Sequence, residues 1–466
     1  MKVAFHTLGC KVNHYETEAI KEAFVLRGAE IVGEEEFADA YVINTCTVTN
    51  IADRKSRQFI RRAKRINPAA VIAVTGCYAQ VAADEVAAIP EVDIVVGNRL
   101  KSEICGLVLE KLAQADQAKN ETTYKSSVER ETERDGDTAP TAEVHVLPRN
   151  ELTFYEDMGK IGAGAEGMSR AYIKIQDGCD RFCSYCLIPY ARGPVKSRPA
   201  KEIVEETVSL VNKGYREIIL TGINTALYGT EDGSDCSLSE LLTMLDDPGL
   251  PCEDFRIRLS SLEPTVVDKN NVEEIIRHRR LCHHLHLSVQ NGSDSVLRSM
   301  NRHYDRAEYL DIVRAIREFD PLYGITTDII VGFPGETDTD FADTLDIVRQ
   351  AEFGKVHVFR YSPRRGTAGE KLPDAVSGEI KIKRAEILEK ESETIAEAFR
   401  EKNLNTTHEV LVEELEDCYA TGYTGNYIKT YIKTGSSGEA SAWSGRILTV
   451  KPLSLFRDGI LADVSD

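Results

Sequence analysis

From residue 171 to about 402 the chain repeats one pattern six times: a short run rich in β-branched residues, then an amphipathic segment. The runs lie near 171–177, 217–222, 255–262, 284–290, 325–332 and 355–361, and the segments near 201–213, 237–246, 271–279, 305–319, 339–351 and 379–402. Strands that alternate with helices are joined by crossovers, and crossovers build parallel sheets. Six such units predict a partial (β/α)6 barrel of the TIM type, with its chemistry at the carboxyl ends of the strands. A flavodoxin-like open sheet is the structural alternative.

Residues 1–114 carry the same alternation in shorter form, with strands near 3–8, 41–44, 71–75 and 92–96. They predict a doubly wound parallel sheet. Residues 115–150 turn polar and charged, and 151–168 hold the glycine-rich stretch 159–167, so 115–168 reads as a linker or insertion. The barrel then occupies 169–402. Residues 403–466 hold five short strands with glycine punctuation, which predict a small all-β barrel of the OB-like type. The fold class is α/β with that β module at its end.

The first barrel strand is followed by Gly178-Cys179-Asp180-Arg181-Phe182-Cys183-Ser184-Tyr185-Cys186. The C-x3-C-x2-C spacing lets one short loop offer three thiolates to three irons of a four-iron cubane. The fourth iron is left for another ligand, and an open metal position is a reactive one. A zinc knuckle competes with this reading, but it needs a fourth ligand, and no CxxC or HxxxH stands nearby.

Cys10, Cys46 and Cys77 each follow a predicted strand and precede a predicted helix. In a parallel sheet such positions share the carboxyl edge, where ligands bind. Helix N-termini there favour thiolates and an anionic cluster. The three predict a second metal site, with three buried structural cysteines as the alternative. Cys105, Cys236, Cys252, Cys282 and Cys418 have no partner at ligand spacing.

Eleven cysteines without an export signal point to metal or catalysis rather than disulfides. The run Met1–Cys10 is too short in apolar residues for a signal peptide, and no stretch reaches the roughly 18 apolar residues of a membrane span. The expected setting is the reducing cytoplasm, with no membrane partner. A net charge of −19 argues against indiscriminate nucleic-acid binding. A local basic face still acts within about a Debye length. Arg54, Lys55, Arg57, Arg61, Arg62, Lys64 and Arg65 put seven basic residues into twelve, with no acid among them. Phosphate binding is the functional reading of that helix and a solvated face the structural one.

The stretch Gly178–Gly193 resembles the signature of radical S-adenosylmethionine (SAM) enzymes. With Cys10, Cys46 and Cys77 ahead of it and a β module behind, the whole chain apart from 115–150 resembles the methylthiotransferases of that superfamily. The start Thr7-Leu8-Gly9-Cys10-Lys11-Val12-Asn13 is similar to the branch that acts on N6-threonylcarbamoyladenosine beside the tRNA anticodon. The resemblance implies two [4Fe-4S] clusters, one on Cys179, Cys183 and Cys186 and one on Cys10, Cys46 and Cys77. It implies that SAM lies against Tyr185, that Gly222 and Asn224 sit near its amino group, and that Ile330 and Gly332 pack on its adenine. The implied reaction adds a methylthio group to carbon-2 of the modified adenine. Its partners would be the tRNA anticodon loop, a sulfur donor and an electron donor such as a reduced flavodoxin-like protein. The C-terminal module would bind RNA, where Tyr423, Tyr427, Lys429, Tyr431, Lys433 and Trp443 interleave aromatic and basic groups; the inner face of a barrel reads the same way. Competing readings are an isopentenyl-type adenosine or a ribosomal-protein side chain as acceptor, or a non-catalytic iron–sulfur RNA-binding protein.

Overall fold

The computed structural model describes residues 1–47, 50–125, 142–159, 169–252, 254–264, 269–434 and 442–465. Its contacts divide the chain into two units, Met1–Gly164 with Leu187–Pro194, and Ala165–Cys186 with Val195–Asp466.

The first unit holds six parallel strands, β1 (Lys2–Thr7), β2 (Glu30–Val32), β3 (Ala40–Thr45), β4 (Val71–Gly76), β5 (Ile94–Val96) and β6 (Glu143–His145), in the order β2-β1-β3-β4-β5-β6. Every residue of β3 and β4 is buried, as expected for strands covered by helices on both faces. Alternate residues serve opposite faces. Ala4, Tyr41, Ile43, Ile72 and Val74 form one core with Phe59 and Ile60 of helix α2 (Asn50–Ile66). Val3, Phe5, Val42 and Ala73 form the other with Ile20 and Phe24 of helix α1 (Lys11–Val25).

Two strands go beyond the sequence expectation. β2 and β6 have three residues each, too few to show a period, and β6 comes from the stretch read as linker. The helix that follows β5 runs over Ile104–Lys125, into the stretch read as linker. Residues 126–141 and 160–168 of that stretch lie outside the described residues.

In the second unit β7 (Arg170–Lys174), β10 (Glu217–Thr221), β11 (Arg256–Leu259) continued by β12 (Ser261–Leu262), β13 (His284–Leu287), β14 (Gly324–Val331) and β15 (Lys355–Arg360) lie parallel in chain order. A small antiparallel pair, β8 (Gln176–Asp177) and β9 (Lys196–Ser197), stands beside them. Unbroken chain order is that of a partial barrel, whereas a flavodoxin-like sheet reverses its order. Outward residues such as Ile173, Ile218, Leu220, Ile257, Leu285, Ile325 and Ile329 build the largest core. By alternation the inward positions are polar, among them Glu217, Arg258, His286 and Asp328.

The C-terminal strands β16 (His408–Glu416), β17 (Tyr419–Thr424), β18 (Lys429–Lys433), β19 (Ile447–Phe456) and β20 (Gly459–Val464) close into a barrel. It joins the amino ends of the parallel strands through buried charge. Glu217 accepts from Arg256 Nε at 2.6 Å and Arg258 Nε at 2.8 Å. The same guanidinium groups donate to the carbonyls of Tyr423, Thr424 and Gly425. Burial pushes the Glu217 carboxyl up, but Arg258, Arg256 and Arg170 more than offset it and hold it well below the ordinary carboxylate range. Tyr423 and Tyr427 stack at 4.9 Å, with Arg170 and Arg258 over their rings at 4.8 and 4.9 Å. Tyr431 is buried and donates to Asp458. All three rings thus take part in contacts within the second unit, with Tyr423 and Tyr427 half-buried.

Candidate metal and cofactor centres

Cys10 follows β1 as the residue before α1, Cys46 follows β3 directly, and Cys77 follows β4 and opens helix α3 (Cys77–Val81). The three strands are neighbours, so the three thiols share one stretch of the carboxyl edge. Two glycines set how closely they approach. A Cβ on Gly9 (φ +118°) would meet Cys46 Sγ at 3.1 Å, and one on Gly76 (φ +97°) would meet the Thr45 carbonyl at 2.2 Å. Both also adopt backbone angles that other residues avoid.

Beneath these thiols lies a buried polar layer that no spacing rule finds. Arg192 is fully buried and donates to Glu16 at 2.8 Å and to Asn13 Oδ1 at 2.7 Å. Lys101, also buried, donates to the same Glu16. Asn13 ties the edge together by donating to the carbonyls of Leu8 at 2.8 Å and Thr45 at 3.0 Å. Asn98 points its amide nitrogen at Cys77 Sγ, 3.7 Å away, and donates to the Ala191 carbonyl at 2.8 Å. Arg99 donates to the Arg192 carbonyl at 3.0 Å. Burial pushes the Lys101 ammonium toward its neutral form, with Glu16 the largest influence in the other direction, and an anion at the thiols would favour the charged form of both Lys101 and Arg192. Cys10 is exposed as a residue, unlike Cys46 and Cys77, but desolvation of its sulfur raises the thiol pKa, with Arg192 the largest influence in the other direction. The layer therefore suits thiolates or an anionic cluster. Arg192 stands only six positions beyond Cys186 in the chain, yet its packing belongs to the first unit.

The second triad sits on one loop at the carboxyl end of β7 and β8. Gly178 (φ +76°) and Phe182 (φ +49°) turn the chain so that Cys179, Cys183 and Cys186 are all half-buried. Gln176 donates to the Gly178 carbonyl at 2.7 Å, and its Oε1 accepts from the backbone of Ile223 at 3.0 Å and Asn224 at 3.1 Å. Gly222 lets Gln176 lie this close, since a Cβ there would meet Gln176 Oε1 at 2.9 Å. Ser184 is held to the carbonyls of Met300 and Ser299, at 2.9 and 2.8 Å. The Cys179 thiol is pushed up to about 12, mainly by burial and in smaller part by Cys183 and Glu263. Such a set of thiols gives up its protons to a bound cation rather than to water, as metal ligands must.

Glu263 is the residue that spacing missed. It follows β12, is buried, and gathers Asn224 Nδ2 at 2.8 Å, Arg181 Nε at 3.2 Å and Arg302 Nη1 at 3.3 Å. Arg302 also approaches Cys183 Sγ at 3.3 Å. The 221–224 segment has no acid, and Glu263 supplies a carboxylate beside it from the next strand. Tyr185 and Ile330 meet in one apolar cluster with Val296, Met300, Phe333 and Tyr361. Gly332 (φ +72°) has a different setting, because a Cβ there would strike the Lys381 stem at 2.3 Å.

The basic helix α2 is split by its partners. Lys64 bonds Asp93 at 3.0 Å and the Ala70 carbonyl at 2.7 Å, Arg57 donates to the Tyr78 hydroxyl at 3.0 Å, and Arg62 pairs with Glu35 at 2.5 Å. Arg54, Lys55, Arg61 and Arg65 are exposed. Lys55, Arg61 and Arg65 line an open cleft whose floor includes the stacked rings of His6 and Phe59, 3.8 Å apart and 7° from parallel.

Residues 2–97 match the Uncharacterized protein family UPF0004 and residues 173–348 the Radical SAM superfamily. A threonylcarbamoyladenosine tRNA methylthiotransferase of Bacillus subtilis is 39% identical over 92% of this chain and 90% of its own length. One from Thermotoga maritima is 35% identical over 100% of this chain and 97% of its own. Among solved structures, the radical SAM methyltransferase TsrM of Kitasatospora setae superposes with a TM-score of 0.52 at 15% identity, over 77% of this chain and 72% of that one. The parallel strands of the second unit lie in the part of the chain that matches radical SAM enzymes. The chain belongs to the radical SAM methylthiotransferase family and is a tRNA methylthiotransferase of the kind named in these relatives. No helix among the described residues is long and apolar enough to cross a membrane.

Proposed function

We propose that this enzyme adds a methylthio group to carbon-2 of N6-threonylcarbamoyladenosine next to the tRNA anticodon, using a [4Fe-4S] cluster on each thiol triad. The observation that carries this reading is the first triad. Cys10, Cys46 and Cys77 lie over Arg192 and Lys101, a setting that asks for an anion and that a one-cluster enzyme would not need. When bound, the clusters and SAM would supply the radical chemistry that exchanges the carbon-2 hydrogen for a methylthio group.

The chain's own residues hold and orient. Arg192 and Lys101 offset the negative charge of the first triad, and Asn98 directs an N–H at the Cys77 sulfur. Arg302 does the same for Cys183. Glu263, with Asn224, would accept from the ammonium of SAM, while Tyr185 and Ile330 supply an apolar wall for its adenine. Arg54, Lys55, Arg61 and Arg65 would meet tRNA phosphates. The sulfur donor and the electron donor are partners that this chemistry requires.

Mass spectrometry of tRNA nucleosides from a strain lacking the gene tests the acceptor. Loss of the methylthio form of threonylcarbamoyladenosine, with the parent nucleoside accumulating, is the expected result. Unchanged levels would overturn the acceptor, and loss of a methylthio isopentenyl nucleoside would move the activity to that substrate. Anaerobic reconstitution should give about eight irons per chain.

A further inference from the structure

The inner face of the partial barrel carries a group that neither triad uses. His286 on β13, Asp328 on β14 and His357 on β15 occupy inward positions of three neighbouring strands. One ring nitrogen of each histidine and one Asp328 carboxylate oxygen lie within 4.8 Å of one another. We infer that these three side chains are the protein ligands of a single divalent transition ion, of the kind that imidazole and carboxylate hold together.

Four observations support the assignment. The donor set of two imidazoles and one carboxylate suits zinc or ferrous iron better than magnesium or calcium, which prefer oxygen alone. His286 Nε2 already stands 3.1 Å from Asp328 Oδ2, a separation that one ion can span with bonds of about 2.0–2.2 Å. The outer contacts are those that orient ligands: His286 Nδ1 meets Thr326 Oγ1 at 2.9 Å, and Ser288 Oγ donates to Asp328 Oδ2 at 3.3 Å. His357 is exposed, its ring centroid 6.0 Å from that of His286, so a turn of its side chain can close the remaining gap. Three protein ligands leave at least one coordination position for water or an oxygen donor.

The thiols take no part, so the ion is distinguishable from cluster iron. The full-length chain, reconstituted anaerobically with iron and sulfide, is equilibrated with zinc, desalted and assayed for both metals by mass spectrometry. One zinc per chain is expected in addition to the cluster iron, with a zinc K-edge spectrum showing only nitrogen and oxygen neighbours. His357→Ala and Asp328→Asn should weaken zinc binding by more than the roughly ten- to hundredfold loss typical of outer-shell changes. Thr326→Val should fall within that range. Iron content should not change in any of the three. His357 is exposed, so its replacement leaves folding intact and keeps the test decisive. Failure to retain zinc, equal retention by the variants, or sulfur in the zinc shell would each overturn the assignment and leave His286 and Asp328 as a hydrogen-bonded pair.

Discussion

The two thiol triads reach similar chemistry by different routes. The second is local: eight residues of one loop bring Cys179, Cys183 and Cys186 together, and glycine and left-handed backbone at 178 and 182 shape the turn. The first is global: Cys10, Cys46 and Cys77 come from three strands and meet only because β1, β3 and β4 are neighbours. The difference continues below the thiols. Each triad has two cations on one carboxylate nearby, Arg302 and Arg181 on Glu263 at the loop and Arg192 and Lys101 on Glu16 at the sheet, but the sheet group is wholly buried whereas Arg181 reaches solvent. A local site depends on its loop, and a global site depends on the sheet order that makes its three strands neighbours.

The largest expected effect separates the triads outright. Cys183→Ala should abolish SAM cleavage, measured as 5′-deoxyadenosine by anaerobic chromatography. The triple replacement of Cys10, Cys46 and Cys77 by Ala should keep that cleavage, lose methylthio transfer and lower iron from about eight to about four per chain. Loss of cleavage in the triple variant would break the comparison, because the triads would then not act separately.

Arg192→Ala comes next. Removing one partner of a buried ion pair costs about 3–5 kcal/mol, which urea unfolding of the apo chain would register. Although Arg192 lies in the sequence of the radical SAM loop, its loss should empty the first triad and spare SAM cleavage. The opposite iron loss would refute the role assigned to it.

Glu263→Gln should leave iron unchanged and weaken SAM binding, measured by calorimetry on the reconstituted protein. A charged hydrogen bond is worth about 1.5–3 kcal/mol, or about ten- to a hundredfold in affinity. An unchanged affinity would confine Glu263 to holding Arg302 and Arg181.

The smallest effect lies on α2. Arg61→Ala should reduce the slope of log affinity for tRNA against log salt by about one. Lys64→Ala should leave the slope alone, because Lys64 is already bound to Asp93 and the Ala70 carbonyl. Equal slopes for both variants would show that the exposed residues are not the ones that meet phosphate.

Much of this was legible in the residues. The β-branched runs announced both parallel sheets, as near-continuous apolar runs where both faces are covered and as one apolar face per strand in the barrel. Cysteines placed just after those runs announced both triads, because the carboxyl edge is shared by all parallel strands. The residues that escaped notice are those whose partners are distant in sequence. Glu16, Lys101 and Arg192 meet across 85 and 176 positions, and Asn224 meets Glu263 across 39. No period or spacing reports such pairs. The basic run of α2 was legible as charge, but only the fold revealed that Asp93, Tyr78 and Glu35 engage three of its seven members.

The order of residues alone determined most of the segments that become strands, where the thiols fall relative to strand ends, and that three of them share one short loop; these follow from local periodicity and short-range spacing. Tertiary structure decided which charges are buried, which cations remain exposed, and which inward side chains of β13, β14 and β15 assemble. Those outcomes depend on desolvation and on contacts between distant residues, and both exist only once the chain has folded.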